Sequence, residues 1–214
     1  MFDKLVHLKN MGYCPDAILD IGAYHGNWTS TMKQIFSCDY FLFEAIDYPQ
    51  LSSCPDKVYK VVLSDKVGEV DWYQMKNTGD SIFREKTHHF KNCEVIKRET
   101  IDLNSLISQE NILRENKNLF IKIDCQGSEI LILKGATSIL SRTDFILLEI
   151  PLFGVYNEGV PNFLEHIKFM DSIGFVPYDI LEHHYINNFN MQVDMLFINK
   201  THPFNITVNQ KLLY

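Results

Sequence analysis

The stretch Leu19-Asp-Ile-Gly-Ala-Tyr-His-Gly-Asn-Trp28 sets two glycines, a histidine and an aspartate where a short apolar run gives way to helical spacing. Glycines let a backbone turn sharply and approach a ligand, and the first turn of a helix offers unpaired N–H groups. A dinucleotide loop requires G-x-G-x-x-G. Counted from Gly22, its second and third glycines are replaced by Tyr24 and Asn27, and Asp20 would set a carboxylate against two phosphate charges. A phosphate-free ligand carrying positive charge suits the loop better, and S-adenosylmethionine is one: it has a sulfonium, an ammonium, a carboxylate for loop N–H groups and a ribose with two hydroxyls. The expected contacts are Asp20, Gly22, Ala23, Tyr24, Gly26, Asn27 and Trp28, with Glu44 and its neighbour Ala45 at the ribose and Ser64 and Asp65 at the adenine edge. Glu44 follows Asp20 at nearly the spacing that brings an acid to the ribose in nucleotide-binding β-α-β units. Each residue also has a structural alternative, such as a solvated strand-end carboxylate for Glu44 or a turn-starting Asp for Asp65.

These residues need elements to hold them. Ala17–Ile21, Tyr40–Glu44, Val58–Leu63, Leu119–Ile123 and Phe145–Glu149 read as buried strands. Helical spacing fills Trp28–Phe36, Leu103–Glu115, Ser128–Leu140 and Asn162–Ile173, with a short helix around Tyr48–Cys54. Alternating strands and helices imply parallel β-α-β units and a doubly wound, mostly parallel sheet of the Rossmann-like α/β class. Phe175–Leu181 and Val193–Ile198 have no helix between them and imply an antiparallel edge hairpin. The segments Glu69–Met75 and Glu94–Thr100 read as strands around the unassigned stretch Asn77–Asn92, which makes roughly 69–100 a hairpin-like insertion in a single domain.

With 214 residues, 46% hydrophobic and 22% charged, the chain has the composition of one globular domain. Its net charge of −7 argues against nucleic acid as a partner, because backbone binding needs clustered Lys and Arg. No apolar run approaches the ~20 residues of a membrane span. The first residues lack the pattern of a signal peptide, and the five cysteines match neither C-x-x-C nor a zinc spacing, so a reducing cytoplasm is expected. The pairs His88-His89 and His183-His184 make no ready metal site, since neighbours on a strand face opposite ways.

The block Phe120-Ile-Lys-Ile-Asp-Cys-Gln-Gly-Ser-Glu-Ile-Leu-Ile-Leu-Lys-Gly-Ala136 resembles the signature of the FkbM-type methyltransferases, approximately K-I-D-x-[EQ]-G-x-E followed by L-K-G-A. Asp20-Ile-Gly-Ala-Tyr-His-Gly, Phe43-Glu-Ala45, Leu63-Ser-Asp65, Leu148-Glu149, Val155-Tyr-Asn-Glu-Gly159 and Gln192-Val-Asp-Met-Leu-Phe197 agree in order. The resemblance implies methyl transfer from S-adenosylmethionine to a hydroxyl of a sugar, glycan or glycosylated metabolite, or of a non-sugar natural product. The transfer is an in-line displacement that needs positioning and a proton acceptor. Asp124 is the first candidate, for contacting the methyl donor or for accepting the proton, with helix capping as its structural alternative, and His25 in the loop is the second candidate proton acceptor. Glu129, Glu149 and Tyr156 are candidate substrate contacts. No metal ligand is assigned; a divalent ion, if one assists, would use Asp124, Glu149 and Glu129. A nicotinamide-dependent sugar oxidoreductase, a nucleic-acid methyltransferase and a non-catalytic cofactor-binding scaffold are the rivals. The oligomeric state stays open.

Overall fold

The computed structural model describes residues 1–152 and 157–205. A helix not foreseen from the sequence comes first, α1 (Phe2–Asn10), followed by β1 (Ala17–Ile21), α2 (Asn27–Ile35), β2 (Asp39–Glu44), α3 (Pro49–Ser52) and β3 (Lys57–Lys60). Next come β4 (Val62–Ser64), β5 (Gly68–Gln74), β6 (Glu94–Asp102), α4 (Leu103–Glu110), β7 (Leu119–Ile123), α5 (Glu129–Lys134) and α6 (Thr137–Leu140). The described chain closes with β8 (Thr143–Pro151), α7 (Phe163–Ser172), β9 (Phe175–Ile186) and β10 (Phe189–Asn199).

Seven strands form one sheet in the order β3-β2-β1-β7-β8-β10-β9, in which β10 alone runs antiparallel to its neighbours. This is the doubly wound architecture expected of the alternating pattern. The order reverses beside β1, where ligands bind at the carboxyl ends of an open α/β sheet. Strand alternation feeds two cores. Ile18, Leu42, Phe120 and Phe145 face Leu5 and Leu8 of α1 and Met32 and Ile35 of α2, whereas Leu19, Phe43, Ile121 and Leu148 face Leu106, Ile132, Ile139 and Met170 on the other side. Burying both faces is what makes the central strands near-continuous apolar runs.

Three differences from the sequence reading have clear causes. The run Val58–Leu63 is two strands, because the Val61 N–H turns to the Glu44 carbonyl and Val62–Ser64 leaves the main sheet to pair with β6. The helix read over Ser128–Leu140 breaks at Gly135, where a Cβ would stand 2.4 Å from the Ser64 carbonyl oxygen, so the chain approaches β4 too closely for any other residue. The helix starting at Leu103 stops at Glu110 because Asn111 adopts a left-handed conformation, φ 56°. β5 and β6 pair antiparallel, Trp72 opposite Ile96, in a small sheet of order β4-β6-β5. No helix among the described residues is long and apolar enough to cross a membrane.

Candidate active site

Asp20 and Lys122 lie directly opposite one another on β1 and β7, and this register makes the first contact of the site. Lys122 Nζ sits 3.0 Å from Asp20 Oδ1 and 3.6 Å from Asp124 Oδ2, and it donates to the Gly22 carbonyl at 2.8 Å. Thr29 Oγ1 donates to Asp20 Oδ2 at 2.7 Å. Asp20 is fully buried beneath the glycine loop, so it positions the loop and does not line a ligand space. The opposed charges hold the Lys122 ammonium well above its ordinary pKa against the effect of its burial.

The loop is pinned from above as well. Gly22 and Ala23 donate N–H bonds to the Phe43 carbonyl, Tyr24 to Glu44 Oε2 at 2.8 Å, and Gly26 to the Ala23 carbonyl. Four N–H groups that the sequence reading offered to a carboxylate therefore serve the chain itself. What is left is the first turn of α2, where Asn27 and Trp28 have no intrahelical acceptor. Gly22 has φ 76°, and a Cβ there would lie 2.0 Å from the Asp124 carbonyl oxygen, so β1 and β7 close up only over glycine.

These pieces border a cavity of about 400 Å³ at the carboxyl ends of the strands. Gly22, Ala23, Tyr24, Asn27, Trp28, Glu44, Ala45, Asp124 and Glu149 line it, whereas Asp20, His25, Gly26, Ser64, Asp65 and Glu129 do not. Tyr156 lies outside the described residues. His25 stacks on Tyr24 with ring centroids 3.7 Å apart and meets Tyr48 edge-on. Glu44 accepts from the Tyr24 and Ile46 N–H groups, and burial raises its pKa. At the opposite end, Gln126 Nε2 bridges Asp124 Oδ1 at 3.3 Å and Glu149 Oε2 at 2.9 Å, and Gln192 Nε2 reaches the same Glu149 oxygen at 3.1 Å. Burial, with Asp124 nearby, pushes the Glu149 carboxyl well up. Glu129 is wholly buried and its Oε1 accepts from the Cys125 and Gly127 N–H groups, which ties the β7–α5 loop from beneath.

Several residues of the site went unnoticed in the sequence. Asp80 gathers the Met75, Lys76 and Asn77 N–H groups, and Ser81 Oγ donates to the Gln126 carbonyl, so the turn after β5 roofs the cavity with Asn77, Thr78 and Asp80. Lys122 could have been found as a cation inside an otherwise apolar strand facing Asp20, a carboxylate inside another. Asp124, Glu149 and Glu129 are not brought together as ligands. Among the described residues the group with ligating atoms within 4.8 Å of one another is Glu149, His184 and Asp194, in which His184 Nε2 stands 3.1 Å from Asp194 Oδ2.

The block that supplies Lys122, Asp124, Gln126 and Glu129 lies within the span that matches a known family. The sequence matches the family described as the methyltransferase FkbM domain over residues 20–177. This chain belongs to the FkbM methyltransferase family. None of the curated proteins matches it. Among solved structures it is similar to the Burkholderia thailandensis 1,6-didemethyltoxoflavin-N1-methyltransferase with bound S-adenosylhomocysteine, at 10% identity and TM-score 0.49 over 92% of this chain and 76% of that one. A S-adenosylmethionine-dependent methyltransferase from Clostridium acetobutylicum gives 9% identity and TM-score 0.49 over 92% and 88%. Magnesium protoporphyrin IX methyltransferase from Synechocystis gives 7% identity and TM-score 0.48 over 92% and 81%. In this methyltransferase the family match spans every strand from the glycine loop to the start of β9, and so every residue that lines the cavity.

Proposed function

We propose that the protein transfers the methyl group of S-adenosylmethionine to a hydroxyl of a sugar, a glycan or a glycosylated metabolite. The observation that carries this reading is one cavity with a ribose-type carboxylate, Glu44, on one wall and a linked Asp124–Gln126–Glu149 set on another. When bound, the donor supplies a methyl carbon already activated by its sulfonium. Glu44 accepts from the ribose hydroxyls, since its two oxygens keep lone pairs beyond those taken by the Tyr24 and Ile46 N–H groups. The first-turn N–H groups of Asn27 and Trp28 face the donor's carboxylate.

Asp124 turns its carboxylate to the cavity and stays 42% exposed, within reach of an acceptor hydroxyl, whose proton it takes as the oxygen attacks. Glu149 and Gln126 orient that hydroxyl, and Asn77, Thr78 and Asp80 offer amide, hydroxyl and carboxylate groups that suit a polyol. The segment around 69–100 acts as an insertion that shapes the acceptor pocket. Five free thiols accord with work in a reducing cytoplasm.

Calorimetric titration with S-adenosylmethionine, then a methyl-transfer screen over sugars, nucleotide sugars and glycans with the methylated position read by NMR, tests the reading. Glu44→Ala is expected to weaken donor binding greatly and Asp124→Asn to abolish turnover. Retention of a nicotinamide dinucleotide in place of S-adenosylmethionine would overturn it.

A further inference from the structure

We infer that Trp72, from the β5–β6 hairpin, is a specificity-determining residue of this site: its indole N–H reads a ring nitrogen of the donor's adenine. The inference rests on the proposed donor. Trp72 is 6% exposed and forms part of the cavity wall with Phe43, Ala45, Ile46, Val62 and Leu63. Its indole nitrogen is buried and has no hydrogen-bond partner among the described residues. The ring packs beside Arg98, whose guanidinium lies 5.7 Å from its centroid while Arg98 Nη2 donates to the Ala45 carbonyl at 2.6 Å.

Buried donors left without an acceptor are uncommon in native folds, and a ligand is one source of the missing partner. The indole N–H can only donate, so the partner must present an acceptor. The exocyclic amine of adenine is itself a donor and is excluded, which leaves the ring nitrogens N1, N3 and N7. The apolar residues beside Trp72 suit a flat heteroaromatic ring. Ala45 and Ile46 follow Glu44 directly in the chain, so a ribose held by Glu44 hands its base to this wall.

The test uses the full chain, S-adenosylhomocysteine and its 1-deaza, 3-deaza and 7-deaza analogues, with affinities from calorimetry. Wild type is expected to lose about tenfold, or about 1.4 kcal/mol, toward one analogue and to hold the other two near the parent. Trp72→Phe should lose a similar factor toward the parent and discriminate among none of the four. A second measurement is read on wild type: the sequence has two tryptophans, and the Trp72 indole proton, assigned by its loss in Trp72→Phe, should move downfield with the parent ligand and stay in place with the disfavoured analogue. Equal wild-type affinity for all four ligands, an unmoved indole proton, or discrimination retained in Trp72→Phe overturns the inference. Absence of any wild-type binding overturns the donor assignment itself, so the two failures are distinguishable.

Discussion

Replacing Glu129 with Gln tests whether the loop that presents Asp124 is held by a carboxylate kept from water at a cost in stability. Glu129 is 1% exposed, and burial raises its pKa from 4.5 to about 7, opposed by the N–H groups of Cys125 and Gly127. Because the folded protein holds this proton more tightly than the unfolded chain, stability falls as pH rises from 4.5 toward 7 and stays at the lower level above that. A shift of this size is equivalent to roughly 3 kcal/mol at pH 8 and about 1 kcal/mol at pH 5, at about 1.4 kcal/mol per pKa unit. Gln keeps an oxygen for the two N–H groups and has no charge to bury. The difference in unfolding free energy between Glu129→Gln and wild type should therefore move in favour of the variant by about 2 kcal/mol between pH 5 and pH 8, while any constant packing offset cancels. Urea unfolding followed by circular dichroism at the two pH values measures it. A variant whose pH dependence parallels that of wild type would refute the reasoning, since the proton would then belong to another group, such as Glu149, whose pKa is raised as well.

Three more outcomes follow from the same geometry. Lys122→Met leaves Asp20 buried without its cation and is expected to cost about 3–5 kcal/mol by thermal unfolding, part of which Asp20→Asn should restore in the double variant; a loss below about 1 kcal/mol would refute the pairing. Gly22→Ala should stay helical and stranded by circular dichroism yet lose donor binding in calorimetry, because its Cβ would meet the Asp124 carbonyl at 2.0 Å; binding equal to wild type would show that the two strand ends can part. NMR titration should place His184 above the ordinary histidine pKa, chiefly through its hydrogen bond to Asp194, and Asp194→Asn should lower it; an unmoved titration would show that the contact does not persist in solution.

The strand-helix alternation was legible because both faces of the sheet are buried, which writes each central strand as a short apolar run between turn residues. Glycine 22 and Glu44 were legible for the same reason, each standing where such a run ends. The residues that escaped are defined by pairing across strands. Lys122 matters because β7 lies beside β1 with Lys122 opposite Asp20, and Asp194 because β10 lies between β8 and β9, with Asp194 opposite Glu149 and Glu182. Sequence spacing does not state strand order, so His184 could not be linked with Glu149 before the sheet was known. Asp80 escaped for a different reason. Its three N–H bonds are all to residues within five positions of it, but they form a turn with no apolar period to announce it.

Asp20 and Asp124 show how far the same side chain can diverge in role under one cation. Both lie near Lys122 Nζ, at 3.0 Å and 3.6 Å, but Asp20 is sealed under the loop with Thr29, whereas Asp124 keeps 42% of its side chain open at the cavity. A buried ion pair returns little net stability, because desolvation offsets most of its attraction. What the Lys122 contacts do achieve is geometric: one ammonium fixes the strand below the loop, the Gly22 carbonyl within it and the carboxylate at its rim. The ion pair is therefore better understood as a device that sets the distance between the two sides of the cavity than as a source of fold stability. Exchanging Asp20 and Lys122 together for a well-packed apolar pair should separate the two roles, leaving the unfolding temperature near that of wild type while donor affinity falls; retained affinity would show that the glycine loop keeps its place without them.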